Sequence, residues 1–247
     1  MKKIMKKHVI CLTMVSFIFL LIIASGFAQA PVEGKAKATE KKIETFKAGG
    51  TRLSIPEPSD AMVEVGYDVR EMMEVFVPAS NRLLSGYMSP NDIPKFTSGD
   101  ENFVLNRYAS IQVARRGEYQ DCTDANFAEL IEYVGGSFSD DIDGIMKDSE
   151  SELNQRMESL ELDKVTIDKP VQLGTLFSKK DAYSMGMISK YSNGTASWTL
   201  VISTTFVRVK KRLLFVYIFN TYNDEKDIET VTKLSEQWVD SILTANK

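Results

Sequence analysis

Apolar and polar residues alternate with a period of two through much of the C-terminal third of the chain, and the period then becomes helical. The segment 183–219 reads as three consecutive antiparallel strands. Asn193-Gly194 marks the first turn, because Asn-Gly supplies the positive φ angles of a two-residue hairpin. That loop length predicts Ser189 opposite Trp198, Met187 opposite Leu200 and Met185 opposite Ile202. The third strand, 213–219, is apolar on both sides, as suits a strand covered above and below. Asn223 and Asp224 offer N-caps to a closing helix, where Ile228, Val231, Leu234, Trp238 and Ile242 recur on one stripe. This helix is expected to fold back over the strands.

Upstream the pattern is more broken. Thr51 to Ile55 alternates as a strand and stops at Pro56-Glu57-Pro58, and 62–65 gives a second short strand. Asp68 can cap a brief helix holding Met72, Met73 and Val75, although 75–77 also suits a strand, and Pro78 ends it. Residues 82–88 and 103–114 read as strands, separated by a loop marked by Pro90, Pro94 and Gly99. A helix begins at Thr123 or Asp124, carries Phe127, Leu130, Ile131 and Val134 inward, and meets Gly135-Gly136. A second helix over 140–160 turns Ile142, Ile145, Met146, Leu153, Met157 and Leu160 inward. Strands at 165–167 and 171–177 follow, divided at Pro170. Strands, two helices, more strands and a closing helix make one α+β domain over 51–247, an antiparallel sheet sandwiched by helices.

The N-terminus changes the charge balance. Lys2, Lys3, Lys6 and Lys7 precede an apolar run over 9–24, and small residues follow, the pattern of an export signal cut after Ala28. The run is also long enough for an uncleaved anchor, so membrane attachment is expected only if the leader stays. Residues 29–50 are polar and read as a tether, with a short helix near 40–46 open as an option. The chain has 30 Lys plus Arg against 34 Asp plus Glu. Removing the leader takes four lysines and no acids, leaving 26 minus 34, or −8. No basic stripe is left to follow a phosphate backbone, so nucleic acid is not expected as a partner. His8 departs with the leader, and Cys122 becomes the one cysteine. That excludes an intrachain disulfide, His- or Cys-pair metal centres, and Ser-His-Asp or Cys-His catalysis in the mature chain.

The order of elements and some local wording resemble the PsbP-like superfamily, which includes the bacterial DcrB-like envelope proteins. The residues carrying the resemblance are Gly50-Thr51-Arg52-Leu53-Ser54-Ile55-Pro56 as an opening strand, 123–134 as a mid-chain helix and 235–243 as a closing helix. The 82–84 strand and the long 140–160 helix have no assigned place in that pattern. The resemblance implies an antiparallel sheet between helices and an accessory or binding module without chemistry of its own. It carries no catalytic, metal or cofactor residue onto this chain.

Several constellations are weighed on their own chemistry. Residues 139–150, S-D-D-I-D-G-I-M-K-D-S-E, place Asp141, Asp143, Gly144 and Glu150 at calcium-loop positions. Ser139 replaces the first carboxylate and Lys147 brings a cation close to the ion, so a capped helix is the competing reading. Cys122 precedes a helix start, but Asp121 and Asp124 oppose its thiolate. Glu71 with Glu74, or Glu118 with Asp121, could pair for acid–base work, against a plain surface role. Arg115-Arg116 and Lys210-Lys211-Arg212 read as basic hairpin tips able to dock an acidic partner. Trp198, Phe206, Phe215, Tyr217, Phe219 and Trp238 either fill the core or line an apolar pocket. The resulting expectation is an exported, periplasmic or secreted, non-enzymatic envelope module with a protein partner or small ligand and no cofactor. An apolar-ligand carrier and a carboxylate-only hydrolase are the alternatives.

Overall fold

The computed structural model describes residues 43–247 apart from 60, 99–104, 137, 160–162 and 194–195, with only the backbone of 138–143 and 145. The leader, and the tether as far as residue 42, lie outside the described residues. A hairpin of β1 (Ile43–Ala48) and β2 (Thr51–Pro56) comes first, followed by β3 (Val63–Glu64), α1 (Tyr67–Glu74), β4 (Asn81–Met88) and α2 (Ile93–Ser98). Next come β5 (Arg107–Ala114), α3 (Asp124–Gly136), α4 (Phe138–Ser159), β6 (Thr166–Ile167), β7 (Val171–Lys179) and β8 (Ala182–Ser192). The chain closes with β9 (Ser197–Val209), β10 (Arg212–Thr221) and α5 (Glu225–Ala245). The eight-stranded sheet runs β3-β4-β5-β10-β9-β8-β6, with β7 also on β8, and every pairing is antiparallel.

Two apolar layers sit on the two faces of this sheet. Phe127, Leu130 and Val134 of α3, Leu153 and Met157 of α4, and Val69 and Met73 of α1 pack on one face with Phe206, Phe215 and Phe219. On the other face, Val231, Trp238, Val239 and Ile242 of α5 meet Val201, Val216 and Ile218, together with Leu53 and Ile55 of the hairpin. The α+β class with an antiparallel sheet between helices is therefore the architecture of the molecule. Strand β10 is apolar on both sides because it lies centrally, paired to β5 and β9 and covered from above and below.

Helix α5 is fixed at three points. Asp224 is its N-cap and forms a capping box with Asp227. The indole N–H of fully buried Trp238 donates to the Pro56 carbonyl at 2.7 Å, and its ring meets Tyr87 edge-on at 5.2 Å. Past the helix, the Asn246 carboxamide imitates a paired strand. It accepts from Ser54 N–H at 2.9 Å and donates to Ser54 C=O at 2.6 Å.

The structure alters some local expectations. In the β8–β9 hairpin, Tyr191 faces Trp198, Ser189 faces Leu200 and Met187 faces Ile202. The pairing is thus shifted by two residues, and 193–196 form a four-residue connection. The Asn193 side chain accepts from Ala196 N–H at 2.9 Å and its backbone N–H donates to Ala196 C=O at 3.2 Å, so Asn193 pairs with Ala196 and is not a turn residue beside Gly194. A shift of two keeps every side chain on its face, so the apolar pattern cannot distinguish the two registers. Residues 43–46 are strand instead of helix, because Gly49-Gly50 turn the end of the supposed tether back against β2. Helix α1 has Gly66 rather than Asp68 at its N-cap, and 75–77 are not strand. Among the described residues no helix is long and apolar enough to cross a membrane.

Candidate functional site

Four connections meet at one end of the sheet: the β1–β2 turn, the loop 115–123 after β5, the β7–β8 turn and the β9–β10 turn. Antiparallel pairing puts alternate connections at the same end. The β7–β8 turn, the β9–β10 turn and the loop after β5 therefore share it, while the β8–β9 connection lies at the other. The separate β1–β2 hairpin is brought in by Gly49 N–H on Glu118. Glu118 ties three of the neighbouring pieces together. Its carboxylate accepts from Gly49 N–H at 3.0 Å and from Arg82 Nε at 3.1 Å, and Arg82 also donates to the Lys47 carbonyl at 2.8 Å. The Arg82 guanidinium, helped by Gly49 N–H and the nearby charge of Arg115, holds the Glu118 carboxyl below the usual range against the opposing effect of burial.

The same end is closed by further contacts. Arg212 donates through Nε to the Thr51 hydroxyl at 2.9 Å and through Nη2 to Asp121 at 3.2 Å. Cys122 N–H donates to Lys211 C=O at 2.8 Å, and Arg115 N–H donates to Ser80 C=O at 2.9 Å. Arg208 reaches both Asp181 and Asp124. Gly49 is left-handed at φ 53°, and a side chain there would run into the Glu118 carbonyl, so the turn and the loop pack backbone against backbone.

This framework holds a charged surface. Lys47, Arg52, Arg115, Arg116, Lys180, Lys210 and Lys211 are all exposed here, while the exposed acids nearby are Asp121 of the loop and Asp124 at the start of α3. Tyr119 stands 76% exposed within the loop. The β9–β10 turn has two residues, Lys210 at φ 46° and Lys211 at φ 61°. Such a turn favours Asn and Gly, and a left-handed lysine costs about 1–2 kcal/mol. The two basic clusters noted in the sequence, Arg115-Arg116 and Lys210-Lys211-Arg212, are therefore neighbours. Hydropathy periodicity carries no signal for Tyr119 or for the left-handed lysines; the Lys-Lys pair between two strands was the available clue.

Other sequence candidates are placed elsewhere. Residues 139–150 lie within continuous helix α4, so the backbone does not form a calcium loop, and the Glu150 carboxylate accepts from Ile167 N–H at 3.1 Å. Among the described residues no group of three or more acidic, His or Cys side chains could hold a metal ion. Glu118 and Asp121 do not form a catalytic pair, since each is engaged by arginine. Glu74 pairs with Arg70 along α1. Cys122 is half-buried, and burial pushes its thiol pKa up with Arg208 opposing.

The aromatic residues divide between the two faces of the sheet. Trp198, Phe206, Phe215, Tyr217 and Phe219 belong to the α3/α4 side and Trp238 to the α5 side. Phe206 and Phe215 meet edge-on at 5.7 Å. A pocket between the sheet and α5 would require space that Val231, Trp238, Val239 and Ile242 occupy with no solvent exposure. Burial pushes the Tyr217 hydroxyl pKa far up. An open trough of about 440 Å³ lies beyond this interface, bordered by Ile43, Pro56, Asp240, Ser241, Thr244 and Ala245.

No protein-family model and no curated protein matches the chain. Among solved structures, the Ran-binding protein Mog1p of Saccharomyces cerevisiae is 9% identical over 83% of this chain and 95% of that chain, with a TM-score of 0.31. A mutant form of Mog1 is 10% identical over 83% of this chain and 94% of that chain, at 0.32. PA94 from Pseudomonas aeruginosa, a protein of unknown function, is 10% identical over 82% and 94%, at 0.22. Likenesses at these scores carry no argument about partners.

Proposed function

We propose that this chain is an exported, non-enzymatic binding module of the bacterial cell envelope, with a PsbP-like relationship, that docks through the turn end of its sheet. The observation carrying this reading is the gathering of exposed cations at one end of a protein whose overall charge is −4. Such a concentration steers association with an oppositely charged partner. The leader with its four lysines and apolar run supports export. The engagement of Glu118 and Asp121 in ion pairs with arginine disfavours carboxylate chemistry there. The filled α5 interface disfavours an apolar-ligand carrier.

Osmotic shock of producing cells, followed by intact mass, tests the location. The chain is expected in the released fraction without residues 1–28, and full-length protein confined to the cytosol contradicts export. A photoreactive residue replacing Lys210 is expected to give an adduct that the same residue at Lys226, near the start of α5, does not. Equal adducts from both positions contradict a docking role for the turn end.

A further inference from the structure

Three features of the turn end are independent of one another. Tyr119 protrudes at 76% exposure from a loop held by Glu118, Asp121 and Cys122. Lys210 and Lys211 occupy left-handed positions that Asn and Gly would take with less strain. Exposed Arg115 and Arg116 sit in the same loop as the tyrosine. An exposed aromatic ring in a loop that also carries two exposed arginines has the composition of a protein–protein anchor, and strain concentrated at such a place is a sign of function.

We infer that the turn end receives an acidic segment of a partner protein, with Tyr119 as the apolar anchor, Arg116 and Lys210 facing its carboxylates, and Lys211, which pairs with Asp121 at 3.5 Å, beside them. This rests on the binding-module reading and names the partner's chemistry. A continuous polyanion fits less well. Asp121, paired with Arg212 and Lys211, and Asp124, paired with Arg208, interrupt the row of cations, which suits a regular track of phosphates poorly, whereas a peptide can space its carboxylates around them. The single exposed ring of the loop does not provide successive stacking platforms for bases. An anionic lipid surface would also meet the acidic remainder of a chain of net charge −4.

The test titrates ¹⁵N-labelled protein with a synthetic peptide of six Asp-Glu repeats, with vesicles containing phosphatidylglycerol as the second arm. Expected are saturable amide shifts confined to residues 115–122 and 208–212, weakening as salt is raised. The K210N/K211G variant keeps a turn-compatible backbone and is expected to weaken binding about tenfold, and Tyr119→Ala about fivefold. Shifts spread over the whole surface, or none at millimolar peptide, overturn the inference. So does vesicle binding that Tyr119→Ala leaves unchanged, which assigns the surface to lipid. Lys210 adducts in cells together with no peptide binding would leave the docking end standing and remove the acidic partner.

Discussion

The two ends of the sheet treat their charges in opposite ways. At the end where α5 begins, Asp224, Asp227 and Asn220 bond the chain's own backbone and side chains, with Glu225 and Lys226 exposed beside them. Asp224 and Asp227 close the capping box, Asn220 bridges Arg107 at 2.7 Å to Asp227 at 3.0 Å, and Tyr222 N–H finds Thr199 C=O at 2.8 Å. At the turn end the inward groups, Glu118, Arg82 and Arg212, make a frame, while lysines, arginines and Tyr119 are held outside it. The first arrangement is what helix termini and strand ends need for their own stability. In the second, Arg115 still donates to Asn81 C=O at 2.7 Å and Lys211 pairs with Asp121 at 3.5 Å, whereas Arg116, Lys210 and Tyr119 stand exposed outside the frame.

Gly49→Ala is expected to have the largest effect, a loss of about 3 kcal/mol, because it combines a left-handed alanine with a backbone collision. Urea unfolding measures it, and an unchanged midpoint would show that turn and loop do not pack as described. K210N/K211G is expected to act in the opposite direction and to stabilise by about 1–2 kcal/mol, because relief at two left-handed positions is offset in part by the lost Lys211–Asp121 ion pair and by the freedom of glycine in the unfolded chain. A stabler variant that binds less well is the signature of a surface kept for docking; a less stable one would mean the lysines support the fold. At the other end, Asp224→Ala should cost about 1 kcal/mol through the lost cap and leave binding untouched.

Acid provides a smaller effect that acts at both ends. Glu118 lies below the usual carboxylate range for the reasons given above. For Asp227, burial pulls upward, but N–H groups of Asn223 and Asp224 and the amides of Asn223 and Asn220 outweigh it and hold the carboxyl low. A carboxylate depressed in the folded state adds stability that is fully present above its unfolded value, about 4, and is lost as pH falls through the folded value. Urea midpoints should therefore hold from pH 7 to 5 and decline below about 4, with a shallower decline in Glu118→Gln. A midpoint that rises on acidification would reverse the sign of the assignment.

Much of the scaffold is legible in the hydropathy pattern because burial dictates it. The stripe Val231, Leu234, Trp238 and Ile242 places α5 on the sheet, and the two-sided apolarity of 213–219 marks the central strand. Register is harder to read, since the observed pairing is displaced by two residues from that of an Asn193-Gly194 turn and an even displacement leaves the pattern intact. The hairpin strand 43–48 was obscured for another reason. Its exposed outer positions look like linker, and its partner is fixed by Gly49, Glu118 and Asn246 from distant parts of the chain. The candidate site shows the same limit: Arg115-Arg116 and Lys210-Lys211 are visible as clusters, but only pairing brings them together.

Hydrogen exchange across residues 115–122 reports whether the loop that carries Tyr119 is held rigid. The amides of Gly117, Gln120 and Cys122 donate to Ala114, Gly117 and Lys211 carbonyls at 3.0, 3.0 and 2.8 Å. These amides should exchange far more slowly than an unstructured chain, although the loop faces solvent, and Glu118→Ala should remove much of that protection. Unprotected exchange in the unaltered protein would contradict the account, because Tyr119 would then ride on a loose loop rather than a fixed docking surface.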